Sequence, residues 1–588
     1  MPRISARSTG YAAVLLALLP LCAVQAGIEI VIPEATEPVQ NNIRAFLSLT
    51  RYAERDDVTQ ETMSRLQRRI VSETRAALEP LGYYEPEVTY ETTHEGDDWR
   101  VTIHVKPGRP VRLSDVSVTV TGPGENARAI QEVVELQDLK PGLRLNHGTY
   151  EHVKGALLRA AKNDGYLDAR LTKNDLVIDR QERRASAIIE VDTGKRYSYG
   201  TINVAQDVIN DDSMRRMLRM KQGDPYTLDS LLRTQYVLDD SQYFATVNLE
   251  TGTVDREALT VPVTVSAQPN RKHRFATSLG YGTDTEVRGK FTWDNRRVNR
   301  AGHRFKLELL GSAIIKSLGA RYVIPVMDVA LEKLDFTANI VEEEIGDTES
   351  QRAEVGSGLT QVQGRWQRVL FVRLSNETTT EGDGTSNTAF YVFPGISYST
   401  LPSYIVGGKP RPYRLYFELR GSPTTLGSDA SFVQFRFQGE RIFNFAERWH
   451  LDLRAELGTT RLDSGRPAAE EILDLPASQR FFAGGDRSVR GFSLNELAPR
   501  DENGDSVGGK HLATGTIEVV RELPRSFGVA AFYDIGNAFD DFKDPQFEYS
   551  LGLGVRYSIA VASFGIDVAQ PISESGNPRL HLYISTQF

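Results

Sequence analysis

The sequence ends in RLHLYISTQF, residues 579–588, which alternates between apolar and polar side chains. Successive side chains of a β-strand point to opposite faces, so this alternation predicts a strand with one apolar and one polar face. The apolar face holds Leu580, Leu582, Ile584, Thr586 and Phe588, and the polar face holds Arg579, His581, Tyr583, Ser585 and Gln587. Such a strand fits a boundary between an apolar and a polar medium.

The same alternation recurs in short segments from about residue 273 to the last residue, for example over residues 448–457. These segments amount to about sixteen strands, an even number within the range of membrane barrels. A soluble β-sandwich also alternates, but it turns its polar side chains outward and does not easily hold charged rows in a closed interior. We therefore predict a sixteen-stranded antiparallel transmembrane β-barrel over residues 269–588.

The first half of the chain contains a short motif three times. The copies are Leu81-Gly82-Tyr83-Tyr84, Asp164-Gly165-Tyr166-Leu167 and Ser241-Gln242-Tyr243-Phe244, at spacings of 83 and 77 residues. Each copy follows a helical pattern and precedes an alternating one, which predicts three α+β repeats, at residues 27–108, 109–194 and 195–268. Three unrelated α+β domains whose turns match by chance are the alternative.

The N terminus has the pattern of a secretory signal peptide over residues 1–26. Arg3 and Arg7 precede an apolar run, and the small residues of Val24-Gln25-Ala26 suit cleavage before Gly27. A membrane helix would need a longer run, and a lipoprotein signal would need a small residue before Cys22. Cys22 is the single cysteine, so a cleaved chain would have no disulfide or thiolate chemistry.

Composition and motifs argue against nucleic-acid binding and against an enzyme. The formal net charge is −9, and no long basic tract provides the footprint that nucleic acid requires. The nine histidines show no metal-ligand spacing, and neither a phosphate-binding Gly-Lys loop nor a Gly-x-Ser-x-Gly elbow occurs. We expect no metal and no cofactor, and we keep an outer-membrane enzyme as a third hypothesis.

A long connection between the predicted strands that end near Thr460 and begin near His511 contains GGDRSVRGF, residues 484–492. Long connections in compact domains are commonly functional or disordered. This motif resembles the sixth-loop motif of the outer-membrane assembly-factor superfamily, which includes BamA, TamA and the two-partner secretion transporters. FYDIGNAF, residues 532–539, is similar to a barrel-strand motif of the same superfamily.

The resemblance implies that the three repeats are periplasmic POTRA domains and that the loop lies inside the barrel. The residues of the loop motif would be Gly484, Gly485, Val489, Arg490, Gly491 and Phe492. The residues of the barrel wall on which the loop docks would be Phe532, Asp534 and Gly536. An arginine held inside a wet barrel needs a carboxylate, because an unpaired buried charge is costly, so Arg490 and Asp534 are the expected pair. We expect Gly536 to leave room for the loop and Gly491 to let its backbone approach closely. A solvated loop arginine is the alternative.

The resemblance also implies a lateral seam between the first and last barrel strands, which would open to pair with a client strand. Candidate gate residues are Phe275, Ser278 and Gly280 in the first strand and Tyr583, Ser585 and Phe588 in the last.

Three repeats before sixteen strands are most similar to the arrangement in TamA. This implies a TamB-like periplasmic or inner-membrane partner, client outer-membrane proteins or autotransporters, and a surrounding lipid bilayer, without nucleic acid. A two-partner secretion-type transporter and a passive outer-membrane pore are the other functions considered.

Overall fold

The computed structural model describes residues 28–53, 55, 58–95, 98–329, 331–401, 413–462, 475–559 and 562–586. The predicted signal peptide and Phe588 lie outside these residues. Among the helices of the described part, none is both long and apolar enough to cross a membrane.

The first half of the chain repeats one order of elements three times: a strand, two helices and two further strands. The first group is β1 (Ile28–Val31), α1 (Glu37–Phe46), α2 (Gln60–Leu78), β2 (Glu87–Glu95) and β3 (Asp98–Lys106), with short 3-10 helices at Ser48–Tyr52 and Glu79–Leu81. The second is β4 (Arg112–Thr121), α3 (Arg128–Leu136), α4 (His147–Asn163), β5 (Arg170–Asp179) and β6 (Arg184–Asp192). The third is β7 (Ser198–Ala205), α5 (Asp211–Met217), α6 (Leu228–Asp240), β8 (Phe244–Thr251) and β9 (Thr260–Pro269).

Each group forms a three-stranded sheet with the last strand in the middle, in the orders β1-β3-β2, β4-β6-β5 and β7-β9-β8. The helices begin where polar side chains cap them: Thr59 accepts from the Thr62 amide, and Asn146 from the amides of Gly148 and Thr149. In α2 the buried residues recur every three to four positions, as Met63, Leu66, Ile70 and Ala77, so one face packs on the sheet.

The three motif copies adopt the same backbone conformation. Gly82, Gly165 and Gln242 have φ angles of +86°, +93° and +61°, all in the left-handed region that glycine adopts most easily. The third copy takes this conformation without a glycine, which supports a common turn in all three groups. A Cβ on Gly82 would lie 2.5 Å from the Leu145 carbonyl oxygen, and one on Gly165 would lie 2.4 Å from that of Tyr226.

The second half forms one antiparallel sheet of sixteen strands in chain order. Its strands are β10 (His273–Gly282), β11 (Glu286–Asn295), β12 (Arg304–Gly311), β13 (Ile315–Pro325), β14 (Glu332–Ile345), β15 (Thr348–Gln363), β16 (Trp366–Thr380), β17 (Ser386–Thr400), β18 (Tyr413–Ser422), β19 (Phe432–Ala446), β20 (Trp449–Leu462), β21 (His511–Glu522), β22 (Phe527–Phe539), β23 (Glu548–Ile559), β24 (Ala562–Pro571) and β25 (Arg579–Thr586). The predicted strand number is confirmed.

Burial alternates along these strands with period two. In β22, Val529 is 43 % exposed whereas Phe532 and Asp534 are 2 % and 0 % exposed. In β25, Leu580 is 52 % exposed and His581 is 2 % exposed. Apolar side chains thus cover the outside, and buried polar side chains line the inside, the reverse of a soluble sandwich. The compact unit with the barrel also contains Thr201–Gln222 and Ser230–Thr253, most of the third group.

The sheet curls into a barrel that is not fully closed. Each neighbouring pair from β10 to β25 forms a hydrogen-bonded ladder, but among the described residues no such ladder joins β25 to β10. One backbone hydrogen bond joins the two sides near this gap, from the Thr283 amide, just after β10, to the Leu582 carbonyl at 3.3 Å. We call this interface between β10 and β25 the seam.

We predict that Gly82→Ala destabilises a fragment of residues 28–194 more than Gly142→Ala does. Both glycines have positive φ, +86° and +87°, but a Cβ on Gly142 would meet nothing within 4 Å. Gly142→Ala should cost about 1–2 kcal/mol of unfolding free energy, and Gly82→Ala roughly 1–3 kcal/mol more. Urea denaturation measures both, and equal losses would show that the contact with Leu145 is unimportant.

A second prediction concerns the barrel as a whole. Unboiled protein should run as a compact species on a denaturing gel, and boiled protein near its full mass, because the ladders resist detergent until heated. Identical migration in several detergents would contradict the barrel.

Candidate functional site

The loop between β20 and β21 is held on the inner wall of the barrel by apolar side chains. Val489 and Phe492 are 0 % and 2 % exposed. They belong to a cluster with Phe481, Ala483, Leu497, Leu512 and Ala538, in which Leu512 lies on β21 and Ala538 on β22. Burying each large apolar side chain stabilises by roughly 1.5–3 kcal/mol, so these contacts fix the loop before any charge is considered.

Glycines set the path of the loop backbone. Gly484, Gly485 and Gly491 have φ angles of +100°, +95° and +102°. A Cβ on Gly484 would lie 2.3 Å from the Ser493 carbonyl oxygen, so this tight turn requires glycine. A Cβ on Gly491 would lie 3.3 Å from the Pro571 nitrogen and from the Ser550 Cβ, so the loop passes close to the wall there.

Arg490 is 2 % exposed and binds three carboxylates. Its Nε and Nη2 donate to the two oxygens of Asp534 at 2.8 and 3.0 Å, and its backbone amide also donates to Asp534, at 3.1 Å. Its Nη1 donates to Glu518 and to Asp567, both at 2.9 Å. The structure therefore brings the predicted pair together as a bidentate contact.

Sequence reasoning missed the remaining charges of this network. Arg556 on β23 donates to Glu518 at 2.7 Å and forms a short ion pair with Asp567. Arg490 and Arg556 thus hydrogen-bond to the three carboxylates of Asp534, Glu518 and Asp567, and Arg454 lies 3.7 Å from Glu518. Burial acts to lower the pKa of the Arg490 guanidinium, but the hydrogen bond and charge of Asp534, with Glu518 and Asp567, raise that pKa above its ordinary value. Arg490 is charged at any physiological pH.

The wall residues act in two different ways. The Phe532 ring lies under the guanidinium of Arg490, with its centroid 3.3 Å from Cζ, a cation–π contact. A Cβ on Gly536 would lie 2.7 Å from the Ala513 carbonyl oxygen and 2.7 Å from Thr514 Cγ2. The atoms nearest to Gly536 thus belong to the neighbouring strand β21, so the absence of a side chain at this position accommodates β21.

A second polar cluster joins the loop to both sides of the seam. The Gly491 amide donates to Nε2 of His581 at 3.0 Å, and Nδ1 of His581 lies 2.6 Å from Oδ1 of Asp486. The Asp486 amide donates to Asp284, in the turn after β10, at 2.7 Å. Asp284, Asp486 and His581 each offer a possible metal-ligand atom within 4.8 Å of the others, but these hydrogen bonds already account for their proximity.

The predicted gate residues other than Phe588 lie on β10 and β25, at the seam. Phe275 is 66 % exposed on the outer face, Ser278 is exposed and Gly280 is half-buried. For Tyr583 and Ser585 the structure describes the backbone, paired with Gly565 and Ser563 of β24. Their side chains and Phe588 lie outside the described part.

A family model for the Omp85 superfamily domain matches residues 271–588, more than half of the chain. The chain belongs to the Omp85 superfamily. A second family model, for POTRA domain 1 of TamA, matches residues 31–107, the first of the three groups. The chain is thus an outer-membrane β-barrel protein with POTRA structure on its periplasmic side.

Two BamA chains are among the proteins similar to this one. The outer membrane protein assembly factor BamA of Nitratidesulfovibrio vulgaris is 24 % identical over 392 residues, covering 63 % of this chain and 48 % of that protein. The chain therefore spans about half the length of this relative. The crystal structure of BamA from Haemophilus ducreyi lacking POTRA domains 1–3 has a TM-score of 0.60 at 13 % identity, covering 81 % of this chain and 99 % of that one, which indicates the same fold.

We predict that Arg490→Ala destabilises the barrel more than Asp534→Ala does, because Arg490 keeps Glu518 and Asp567 when Asp534 is lost, whereas three carboxylates lose a partner when Arg490 is removed. Arg490→Ala should lower the free energy of unfolding by about 3–5 kcal/mol. The double change should cost less than the sum, with a coupling of roughly 0.5–3 kcal/mol. Arg490→Lys should rescue only in part, since it loses the planar fork.

Arg487→Ala provides the control, because Arg487 is an exposed arginine of the same motif. Thermal unfolding in lipid vesicles and protease resistance of the loop measure these effects. Additive losses, or an Arg490→Ala variant equal to Arg487→Ala, would make Arg490 an ordinary loop residue.

Proposed function

We propose that this protein is a TamA-like insertion and translocation factor, which assembles or secretes client β-barrel and autotransporter proteins through the seam between β10 and β25. The missing ladder between these strands, among the described residues, carries the proposal. Each unpaired backbone group costs several kcal/mol in a lipid interior, so a strand edge there readily accepts another strand. A client strand would satisfy these groups by strand addition.

We infer that the three α+β groups are POTRA domains 1, 2 and 3 at residues 27–108, 109–194 and 195–268, followed by the barrel at residues 269–588. The repeated order of elements and the three left-handed turns support this division. Three such domains fit a TamA-like protein and its TamB-like partner. Co-purification from envelope extracts tests the partner, and recovery of a single dedicated exported protein instead would favour a two-partner secretion transporter.

A passive pore is the other candidate, and the loop argues against it. Its buried network with Arg490 and its contacts with both sides of the seam are more than a simple pore requires. Steady ion conductance without client assembly in reconstituted vesicles would favour the pore.

We predict that a disulfide across the seam stops client assembly. Cys22, the single native cysteine, lies in the predicted signal peptide. The hydrogen bond from Thr283 to Leu582 gives a starting point for the register. If the two antiparallel strands keep this register, Gly280 lies opposite Ser585. Two double-cysteine variants are therefore made, one at positions 278 and 585 and one at positions 280 and 585. Oxidised variants should lose client assembly, and reduction should restore it.

The matched control is a disulfide between positions 378 and 388. Thr378 and Thr388 are directly opposed on β16 and β17, with their hydroxyl oxygens 2.8 Å apart. This bond locks a pair that a ladder already joins, so assembly should continue. Normal assembly by a seam-locked protein would refute the seam as the route.

A further inference from the structure

Side chains span the seam where the ladder is missing, and Arg288 provides one of these contacts. Arg288 lies on β11, directly opposite Gly280 of β10. Its Nη2 donates to the Ile584 carbonyl of β25 at 3.2 Å, so the side chain crosses the whole of β10. A Cβ on Gly280 would lie 2.9 Å from Nε of Arg288, which shows that this path depends on a glycine beneath it.

Thr283 makes a second contact across the seam. Its amide donates to the Leu582 carbonyl and its Oγ1 accepts from the Leu582 amide, both at 3.3 Å. One residue of the turn after β10 therefore pairs both backbone groups of Leu582. Its hydroxyl also lies 3.3 Å from Oδ1 of Asp486, which ties this contact to the loop.

His581 links the docked loop to the last strand through both of its ring nitrogens. The Gly491 amide can only donate, so Nε2 of His581 must accept and the ring proton must lie on Nδ1, where it donates to Asp486. Gly491 follows Arg490 directly. When Arg490 binds the barrel wall, the neighbouring Gly491 amide is therefore positioned to donate to His581.

We propose that Thr283, Arg288, Asp486 and His581 form a seam clasp that holds β10 and β25 together and is released when a client strand arrives. The clasp occupies the Leu582 amide and carbonyl and the Ile584 carbonyl, which are groups an incoming strand would need. Because two side-chain contacts and one backbone hydrogen bond hold these groups instead of a ladder, a client can displace them one at a time without unfolding either strand. Movement of the loop removes Asp486 and the Gly491 contact together, so loop docking and seam closure are coupled.

This inference rests on the proposed function for its purpose, but its geometry can be tested separately. Spin labels at positions 279 and 580 report the width of the seam, since Leu279 and Leu580 are exposed on the outer face, at 82 % and 52 %. The full chain is measured in vesicles of phosphatidylethanolamine and phosphatidylglycerol. The variants are Arg288→Ala, Arg288→Lys, His581→Ala and, as control, Lys290→Ala, all checked for heat-modifiable migration.

Lys290 is the matched control because it lies on β11 two residues from Arg288, faces the same side and pairs with Glu308 of β12 instead of β25. Arg288→Ala should raise the long-distance population roughly tenfold, as expected for loss of a charged hydrogen bond. Arg288→Lys should give an intermediate value, His581→Ala an increase, and Lys290→Ala none. Unchanged distances in Arg288→Ala, or an equal change in Lys290→Ala, would overturn the clasp. The Arg288 variants keep the test decisive if His581→Ala fails to fold.

The rate of client assembly in the same vesicles separates the two proposals. A wider seam in Arg288→Ala with faster or less selective client assembly supports both. A wider seam with unchanged assembly supports the clasp and counts against the seam as the route for clients. Unchanged distances refute the clasp whatever the rate of assembly.

Discussion

The lipid interior offers no water to backbone amides and carbonyls, and this constraint governs the whole second half of the chain. Sixteen strands satisfy it by pairing with their neighbours in chain order. The outward side chains then have to be apolar, which produces the exposed apolar face and the polar lining. At the seam the described strands form no ladder. Polar side chains there make some of the hydrogen bonds to backbone groups that a neighbouring strand makes elsewhere.

The charged network of Arg490 depends on that polar lining. A buried arginine is tolerable only with carboxylates nearby, and β21, β22 and β24 each supply one, on their inward faces. The strand between the last two, β23, contributes the second arginine, Arg556, and at two further positions contributes space. Gly552 lies opposite Phe532, and Gly554 lies opposite Asp567. A Cβ on Gly552 would lie 2.1 Å from the Phe532 ring, and one on Gly554 would lie 1.9 Å from Oδ1 of Asp567.

These two glycines show where sequence reasoning stops. Alternation predicts the strands and which of their side chains face inward. The cost of an unpaired buried charge predicts that Arg490 contacts a carboxylate. The strand number and the contact with Asp534 can therefore both be predicted from the sequence. The contributions of Glu518 and Asp567 depend on the register between strands, which one sequence does not reveal. The sequence does mark both residues, because each is a charged residue on the inward face whose two neighbours in the chain are apolar and face outward. The contact of Gly536 with β21 is hidden for the same cause, since its nearest neighbours belong to an adjacent strand.

Arg490 and Gly491 of the loop bind strands that follow them in the chain. Arg490 binds Glu518, Asp534 and Asp567, and Gly491 binds His581, at separations of 28, 44, 77 and 90 residues. Contacts over such distances form late, because the intervening chain must first be ordered. During its own biogenesis the protein therefore cannot complete this set of contacts until β25 is in place. A loop that makes all of these contacts therefore indicates that β21, β22, β24 and β25 are already in place.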